Sequence, residues 1–135
     1  MMQIEFTVPG EPQGKARPRI TRYGTYTPKK TVNYEKAIKN AFLSAGGRRT
    51  ESPVKVSITA YYKIPKSASK AKTASMECGD ILPTKKPDLD NIAKCVCDAL
   101  NGVAYNDDAQ VCWLKVSKKY SDDPKIEVTV REVIP

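Results

Sequence analysis

The chain has 135 residues, of which 40% are hydrophobic and 28% are charged, and it carries a formal net charge of +8 at pH 7. This length predicts one domain, 1–135, that buries roughly two thirds of the surface exposed by its unfolded state, and the composition excludes a fibrous or disordered chain. Its apolar stretches are short and its start lacks a basic-then-apolar pattern, so we expect no membrane span, no signal peptide and a cytoplasmic location.

The N-terminal part of the chain predicts a strand followed by a basic loop. Residues 3–8 alternate polar and apolar side chains and stop at Pro9-Gly10, which is typical of a strand at the edge of a sheet. The segment 9–30 is rich in Lys, Arg, Pro and Gly, and its RYGTY stretch (22–26) indicates a hairpin. We therefore expect an exposed basic loop after the first strand.

A helix and a second strand are predicted next. Apolar residues recur at helical spacing up to Ser44, with Thr31 or Asn33 as the N-cap and Gly46-Gly47 as the end of the helix. Residues 53–63 alternate between apolar and polar side chains, which predicts a strand with one buried face.

The C-terminal half predicts one helix and two strands. Residues 65–86 are rich in Lys, Ser, Ala, Thr, Gly and Pro, which indicates a long loop. A helix over 90–100 follows, and strands over 111–119 and 126–133 are joined by the turn SDDPK, which predicts a hairpin. The expected fold is α+β, with a small mixed sheet and two helices in the order β-α-β-α-β-β. The expected core residues are Leu89, Ile92, Val96, Ala99 and Leu100 of this helix, together with Phe6, Phe42, Tyr62 and Trp113.

The chain contains four cysteines and no histidine. A disulfide framework is typical of small secreted domains without a sufficient core, and this chain does not fit that class. We therefore expect Cys78, Cys95, Cys97 and Cys112 to be free thiols, although their number leaves a zinc site open.

Positive charge is concentrated in the segments 9–30 and 65–86. Clustered Lys and Arg neutralise phosphates and release condensed counterions, so this distribution favours a polyanionic partner such as DNA. The tyrosines of RYGTY could stack on an exposed base, and the alternative is a solvated basic hairpin whose tyrosines pack on the domain. The candidate DNA-binding residues are Lys15, Arg17, Arg19, Arg22, Tyr23, Lys85 and Lys86.

Two pairs of aspartates flank the C-terminal helix, Asp88 with Asp90 and Asp107 with Asp108. If they meet in the fold, their repulsion requires either raised pKa values or a bound cation. Oxygen ligands without His or Cys suit Mg²⁺ or Mn²⁺, which would neutralise phosphate charge and activate a water to attack a phosphodiester bond. Lys94, one helical turn after Asp90, could orient that water or balance charge. The predicted reaction is metal-dependent phosphodiester hydrolysis.

Each acidic feature also has a purely structural interpretation. Asp88 or Asp90 could be an ordinary helix N-cap, and Asp90 with Lys94 an ordinary i,i+4 ion pair. Asp107-Asp108 could be a solvated turn. Only the conjunction of these features with the basic flanks favours a catalytic site.

The stretch KKPDLDNIAKCVCDALNGVAYNDDAQV closely resembles the central signature of the RusA family of Holliday junction resolvases. DLDN, the helix lysine, DALNG and DDAQV fall in the same order and spacing over about residues 84–120, and the opening PGEPQGKARPR and the strand at 53–63 match more loosely. The resemblance implies a RusA-like fold and an endodeoxyribonuclease of DNA recombination and repair.

The same resemblance also implies which residues bind the metal and which are catalytic. The implied metal ligands are Asp88, Asp90, Asp107 and Asp108, and the implied catalytic residues are Asp88, Asp90, Lys94 and Asp108. The cofactor would be Mg²⁺, with Mn²⁺ as a substitute. A homodimer would make paired symmetric nicks in a four-way DNA junction and leave ligatable ends. A noncatalytic protein that binds branched DNA remains the alternative.

Overall fold

A computed structural model describes residues 2–16 and 18–134 of the chain. A four-stranded sheet carries helices that pack on one of its faces. The described elements, in chain order, are β1 (Gln3–Pro9), β2 (Arg19–Thr21), β3 (Gly24–Tyr26), α1 (Lys29–Ser44), β4 (Val54–Lys63), α2 (Lys70–Glu77), α3 (Leu89–Ala99), a short 3₁₀ helix (Asp108–Gln110), β5 (Val111–Ser121) and β6 (Lys125–Glu132).

The main sheet is mixed, with the strand order β1-β6-β4-β5, and β2 pairs with β3 in a separate hairpin. Strand β6 is antiparallel to both β1 and β4, whereas β5 is parallel to β4. The predicted α+β class, the edge position of β1 and the hairpin in the basic loop are therefore confirmed. Within residues 2–16 and 18–134, no helix has the length and apolar character needed to cross a membrane.

Strands β5 and β6 do not form the predicted hairpin, because β4 lies between them. The segment 121–125 passes over the end of β4, where the Lys63 ammonium donates to the Asp122 carbonyl at 2.7 Å. The Ile64 N–H donates to the Ser121 carbonyl at 3.1 Å. Two strand spacings of about 4.8 Å are within reach of a few extended residues. The turn sequence thus indicates a chain reversal without specifying the pairing partner.

A third helix, α2, occupies part of the predicted loop 65–86, so the expectation of two helices was wrong. Its N-cap is Ser69, whose hydroxyl oxygen accepts a hydrogen bond from the Lys72 N–H at 3.2 Å. None of the residues of α2 is buried. A helix that buries no residue needs no apolar stripe, and apolar periodicity is the signal by which a surface helix is predicted. The helix was therefore not predicted from the sequence.

Helix α1 begins earlier than predicted. It starts at Lys29, directly after Pro28 with φ −54°, and neither Thr31 nor Asn33 is its cap. Pro28 is itself the N-cap, and it has no side-chain oxygen that could cap the helix. The helix ends before Gly46, as predicted, and the φ of +89° at this glycine lies in the left-handed region.

The core lies between one face of the sheet and helices α1 and α3. Every second residue of β4 from Val54 to Tyr62 is at most 1% exposed, as the alternation predicted. Phe6 and Phe42 also lie in this core and meet edge to face, with their ring centroids 6.0 Å apart. Apolar burial on this one face of the sheet fixes how α1 and α3 lie on it.

Two of the core predictions are wrong, because Leu89 is 41% exposed and Trp113 is 46% exposed. A bulge at the start of β5 pairs Val111 with the buried Val54 but Trp113 with Lys55, which faces away from the helices. The buried side of α3 instead includes Ala93, Cys95 and Cys97. All four cysteines are free, as predicted.

Candidate functional site

The start of α3 holds Asp88 and Asp90 at the protein surface. Asp88 is the N-cap, with φ −73° and ψ 156°, and the exposed Asp90 lies in the first turn. The Asp88 carboxylate makes no capping hydrogen bond to the helix and forms an ion pair with the exposed Lys86 at 2.9 Å. The helix dipole favours negative charge at this end. Both carboxylates are therefore accessible to a ligand.

The backbone just before Asp88 is fixed by the sheet. Tyr62, buried at the end of β4, donates a hydrogen bond from its hydroxyl to the Pro87 carbonyl at 2.6 Å. Burial, followed by the negative charges of Asp88 and Glu11, raises the pKa of Tyr62 to about 12. The hydroxyl therefore remains a donor at neutral pH and holds the point from which α3 starts.

The N-terminal segment 12–16 packs against the same part of α3. The backbone N–H of Lys15 donates to the Asn91 carbonyl at 3.1 Å. A Cβ atom on Gly14 would lie 2.9 Å from Asn91 Cβ and 3.1 Å from Pro87 Cβ, so this close approach requires glycine. The start of α3 is thus held both by β4 and by the N-terminal segment.

Lys15 belongs to a partly buried ion network. Its Nζ lies 2.7 Å from Glu35 Oε1 and 3.4 Å from Asp98 Oδ2, and Lys94 Nζ lies 3.9 Å from the same Asp98 oxygen. Burial alone would lower the pKa of Lys15, but hydrogen bonds and charge interactions with Glu35 and Asp98 outweigh it and raise the pKa. The network joins α1, α3 and the N-terminal segment. Glu35 belongs to none of the motifs, and Asp98 begins DALNG but was assigned no role, so this network was not predicted. Lys15 as a DNA contact stays a prediction.

Gln110 shapes the loop that carries the second pair of aspartates. Its side-chain amide donates to the carbonyl oxygens of Thr50 and Ser52, each at 3.0 Å. Its Oε1 accepts from the backbone N–H groups of Asn106 and Asp107 at 2.8 and 3.3 Å. One glutamine therefore ties the exposed acidic loop to the segment before β4. The DDAQV motif marked this residue, but only the fold shows its contacts.

Asp108 lies close to the C-terminal half of α3. Burial is the largest cause that raises the pKa values of Cys97 and Tyr105, and the negative charges of Asp108 and Asp98 add smaller increases. The Tyr105 hydroxyl donates to the Cys97 carbonyl at 2.7 Å. Cys97 follows Asp90 by seven residues, so it lies on the same side of α3 about 10 Å further along the axis. Lys94 lies between them on that side.

Of the four predicted metal ligands, Asp88 and Asp90 lie at the start of α3, whereas Asp107 and Asp108 lie at the 3₁₀ helix before β5. In the part of the chain that the structure describes, no group of three or more His, Cys, Asp or Glu side chains is arranged to hold a metal ion. The donors themselves suit a hard divalent cation, because carboxylate oxygens at an accessible surface are the ligands of Mg²⁺ and Mn²⁺. Convergence of the two pairs on one ion, and the catalytic role of Lys94, stay predictions.

A basic cleft of about 410 Å³ opens beside Pro87, immediately before Asp88. Arg19 of β2, Lys30 of α1 and Lys86 line it together. The start of α1 also lines the cleft and has no side-chain cap, so its free N–H groups add positive potential. The cleft therefore suits an anionic group next to the aspartates, and Lys30 is a contributor that the sequence did not single out.

The β2–β3 hairpin carries further predicted DNA contacts. The Arg22 guanidinium lies 5.0 Å from the centroid of the Tyr23 ring, and its Nη2 donates to the Tyr23 hydroxyl at 2.9 Å. Tyr23 and Ile20 are each 85% exposed, so this tyrosine does not pack on the domain. Lys85, before the aspartates, has its ammonium 5.9 Å from the centroid of the buried Tyr62 ring. Arg17 lies outside the described residues.

The fold and the site define a class of small α+β protein that presents aspartates at the start of a helix beside a basic cleft. The family model "Endodeoxyribonuclease RusA" matches residues 9–131, and the chain belongs to this family. It is 42% identical over 137 residues to the uncharacterized protein YqaN of Bacillus subtilis (strain 168). The aligned region covers 96% of this chain and 96% of YqaN. The chain is 33% identical over 82 residues to the crossover junction endodeoxyribonuclease rusA of Lactococcus phage r1t. That aligned region covers 60% of this chain and 56% of the phage protein. The predicted family is confirmed, and the class of protein is a nuclease.

Proposed function

We propose that the protein is a divalent-metal-dependent, structure-selective endonuclease that resolves four-way DNA junctions in the cytoplasm, in recombination and repair. The observation that carries the proposal is the position of the DLD motif. Asp88 and Asp90 lie accessible at the fixed start of α3, next to the basic cleft. A DNA phosphate bound by Arg19, Lys30 and Lys86 would lie beside these carboxylates.

The proposed cofactor is Mg²⁺, with Mn²⁺ as a substitute. Its proposed ligands are the four aspartates Asp88, Asp90, Asp107 and Asp108. When bound, the ion neutralises charge on phosphate oxygens and lowers the pKa of a coordinated water. The Lys94 side chain is 62% exposed and only loosely paired with Asp98, at 3.9 Å. Its ammonium is therefore free to approach the phosphate and balance the charge that develops during cleavage.

The β2–β3 hairpin is the proposed contact with the branch point. The exposed ring of Tyr23 would stack on an unpaired base, Ile20 would wedge between bases, and Arg22 would contact a phosphate. The other proposed phosphate contacts are Arg17 and Lys85. Lys15 is also a proposed phosphate contact, which it would make by leaving its ion pairs with Glu35 and Asp98.

We further propose that the protein acts as a homodimer. A four-way junction offers two equivalent strands related by a two-fold axis. Paired symmetric nicks require two active sites with the same symmetry, which a two-fold dimer provides.

The proposal is tested with a synthetic four-way junction labelled on each strand in turn. The wild type is expected to produce paired nicks at symmetric positions with Mg²⁺ and none with a chelator. Asp88→Asn, Asp90→Asn and Asp108→Asn are each expected to lower the cleavage rate by about 100-fold or more. Junction binding in a gel-shift assay should persist, because Lys and Arg supply most of the affinity.

Asp122→Asn is the matched control, because Asp122 is an exposed aspartate in the turn between β5 and β6. It removes the same charge and is expected to leave cleavage unchanged. Sustained junction binding without nicks by the wild type would favour the noncatalytic alternative. Loss of both binding and cleavage in the three site variants would mean that these aspartates maintain the fold.

A further inference from the structure

The sheet has a second broad surface on the side opposite to α1 and α3. In β4 every even-numbered residue from Val54 to Tyr62 is buried, so the odd-numbered residues point away from the core. The strand register places one residue of each neighbouring strand beside them on the same side. We call this surface the outer face, defined as the odd-numbered residues of β1, β4 and β6 and of β5 from Trp113 onward.

The outer face is strongly basic. It carries two carboxylates, Glu5 and Glu127, and six cations, so its net charge is +4, which is half of the formal charge of the whole chain. The cations are Lys55, Lys63, Lys115, Lys119, Lys125 and Arg131. At the end near the turn, Lys63 and Lys125 contact the segment 122–123. The remaining cations lie on the sheet itself, where their mutual repulsion would be relieved by a polyanion.

One row across this face combines cations with an aromatic ring. The row consists of Gln3, Arg131, Lys55 and Trp113, and it contains no carboxylate. Trp113 is 46% exposed, and Lys55 Nζ lies 5.6 Å from the centroid of its ring. These four residues, with the hydroxyls of Ser57 and Thr129, line a shallow cavity of about 220 Å³. An accessible indole at the end of a row with two cations suits a flat ring that is attached to a phosphate.

The charge and the tryptophan together favour one occupant. A second copy of the chain would bring two faces of charge +4 together, and stacked sheets pack through apolar faces. Duplex DNA offers phosphates but keeps the faces of its bases stacked inside. Single-stranded DNA offers both phosphates and accessible base faces, which are the two groups that this row can bind.

We propose that the outer face binds single-stranded DNA at the row of Trp113, Lys55 and Arg131. The indole stacks on a base, and the two cations contact the flanking phosphates. The inference rests on the proposed function only in taking DNA as the polyanion. The surface lies across the sheet from α3 and takes part in no chemical step.

Trp113 is the only tryptophan of the chain, so its fluorescence reports directly on this face. Titration with oligo(dT) of about 12 nucleotides, in a chelator that prevents cleavage, is expected to quench the fluorescence to saturation. A duplex of the same length is expected to quench it little. The double variant Lys55→Gln with Arg131→Gln should reduce the slope of log affinity against log salt by about 1.4, from two phosphate contacts.

Two sets of variants control for general charge and for folding. Lys36→Gln with Lys39→Gln removes the same charge from α1 and is expected to leave the slope unchanged. Trp113→Ala, followed by the anisotropy of a labelled oligonucleotide, should weaken binding about 5- to 100-fold, and Trp113→Phe should restore most of it. Circular dichroism checks that each variant is folded.

The proposal is overturned if oligo(dT) does not quench Trp113, if duplex quenches it equally, or if both pairs of charge variants weaken binding to the same extent. A dimer that Trp113→Ala dissociates without DNA would assign the face to a second copy. Junction cleavage by Trp113→Ala is measured in parallel. Oligonucleotide binding through Trp113 in a wild type that does not cleave junctions would overturn the proposed function and leave this inference standing.

Discussion

The two faces of the sheet differ although the same four strands form both. On the helix side, residues such as Ile58 are sealed under α1 and α3, and the charged Lys15 is paired with Glu35 and Asp98. On the outer face, hydroxyls and lysines alternate with the buried residues, and cations exceed carboxylates by four. One side is therefore organised for stability and for holding the start of α3, and the other is left charged and open.

A basic net charge is therefore not informative by itself. Half of the net charge lies on the outer face and three further cations line the cleft beside Asp88, whereas Lys15 is neutralised by carboxylates inside the fold. The function of each cation depends on which groups surround it. Three pairs of substitutions sharpen the contrast, because each compares a residue on the helix side with one on the outer face.

The largest effect is expected at neighbouring positions of β4. Ile58→Ala should lower the free energy of unfolding by about 2–5 kcal/mol, because Ile58 is 1% exposed and its removal leaves a cavity. Thr59→Ala, on the outer face, should change it by about 0.5 kcal/mol or less. Urea denaturation measures both. Equal losses at the two positions would show that something covers the outer face as tightly as the helices cover the inner one.

A smaller effect is expected when a lysine is removed from each side. Lys15→Met should cost about 1–2 kcal/mol of unfolding free energy, because Glu35 and Asp98 lose a partner in a partly buried network. Lys115→Met, on the outer face, should cost nothing measurable or stabilise slightly, since it relieves repulsion.

The Lys15 effect should also depend on pH. The folded-state pKa of Lys15 is raised above its ordinary value of 10.5, so its contribution is fully present below that pH and is lost as the pH rises through the raised pKa. The difference in unfolding free energy between the wild type and Lys15→Met should be constant near neutrality and shrink above pH 10.5. A difference that persists in strong alkali would mean that the aliphatic part of Lys15, and not its charge, stabilises the fold.

The smallest effect on stability is expected at two glutamines. Gln110→Ala should cost about 1 kcal/mol and lower the junction cleavage rate about 10-fold, because the loop of Asp107 and Asp108 loses its hydrogen bonds to Thr50 and Ser52. Gln3→Ala, on the outer face, should leave cleavage unchanged. Gel assays of cleavage and amide exchange of the loop provide the two readouts. Unchanged loop exchange in Gln110→Ala would exclude this positioning role.

The spacing of apolar residues along the chain predicted much of the fold, but it missed elements that have no regular apolar spacing. The alternation of β4 and the helical spacing of α3 place apolar residues on one face, and the structure confirms both. Helix α2 was missed because none of its residues is buried. Trp113 was wrongly assigned to the core: two-residue periodicity would place it on the same face as Val111, but the bulge between them places the two on opposite faces.

The candidate site was likewise only partly readable. The DLD and DDAQV motifs and the helix lysine after them marked the four aspartates and Lys94 as candidates, since these stretches carry a family signature. Glu35 and Lys30 lie outside the signature, and Asp98 of DALNG and Tyr62 of β4 were assigned no role in the site. They reach the site from β4, α1 and α3, and their contacts exist only after the chain has folded.

The sequence by itself determined the family, the α+β class, the buried face of β4 and the presence of exposed aspartates at a helix start. These properties depend on neighbours within a few residues along the chain, which periodicity and capping record directly. Only the tertiary structure decided that β4 separates β5 from β6, that Lys15 pairs with carboxylates, and that Trp113 joins Lys55 and Arg131 on an open basic face. Those features join residues far apart in the chain, and their positions follow from how the sheet buries its apolar side.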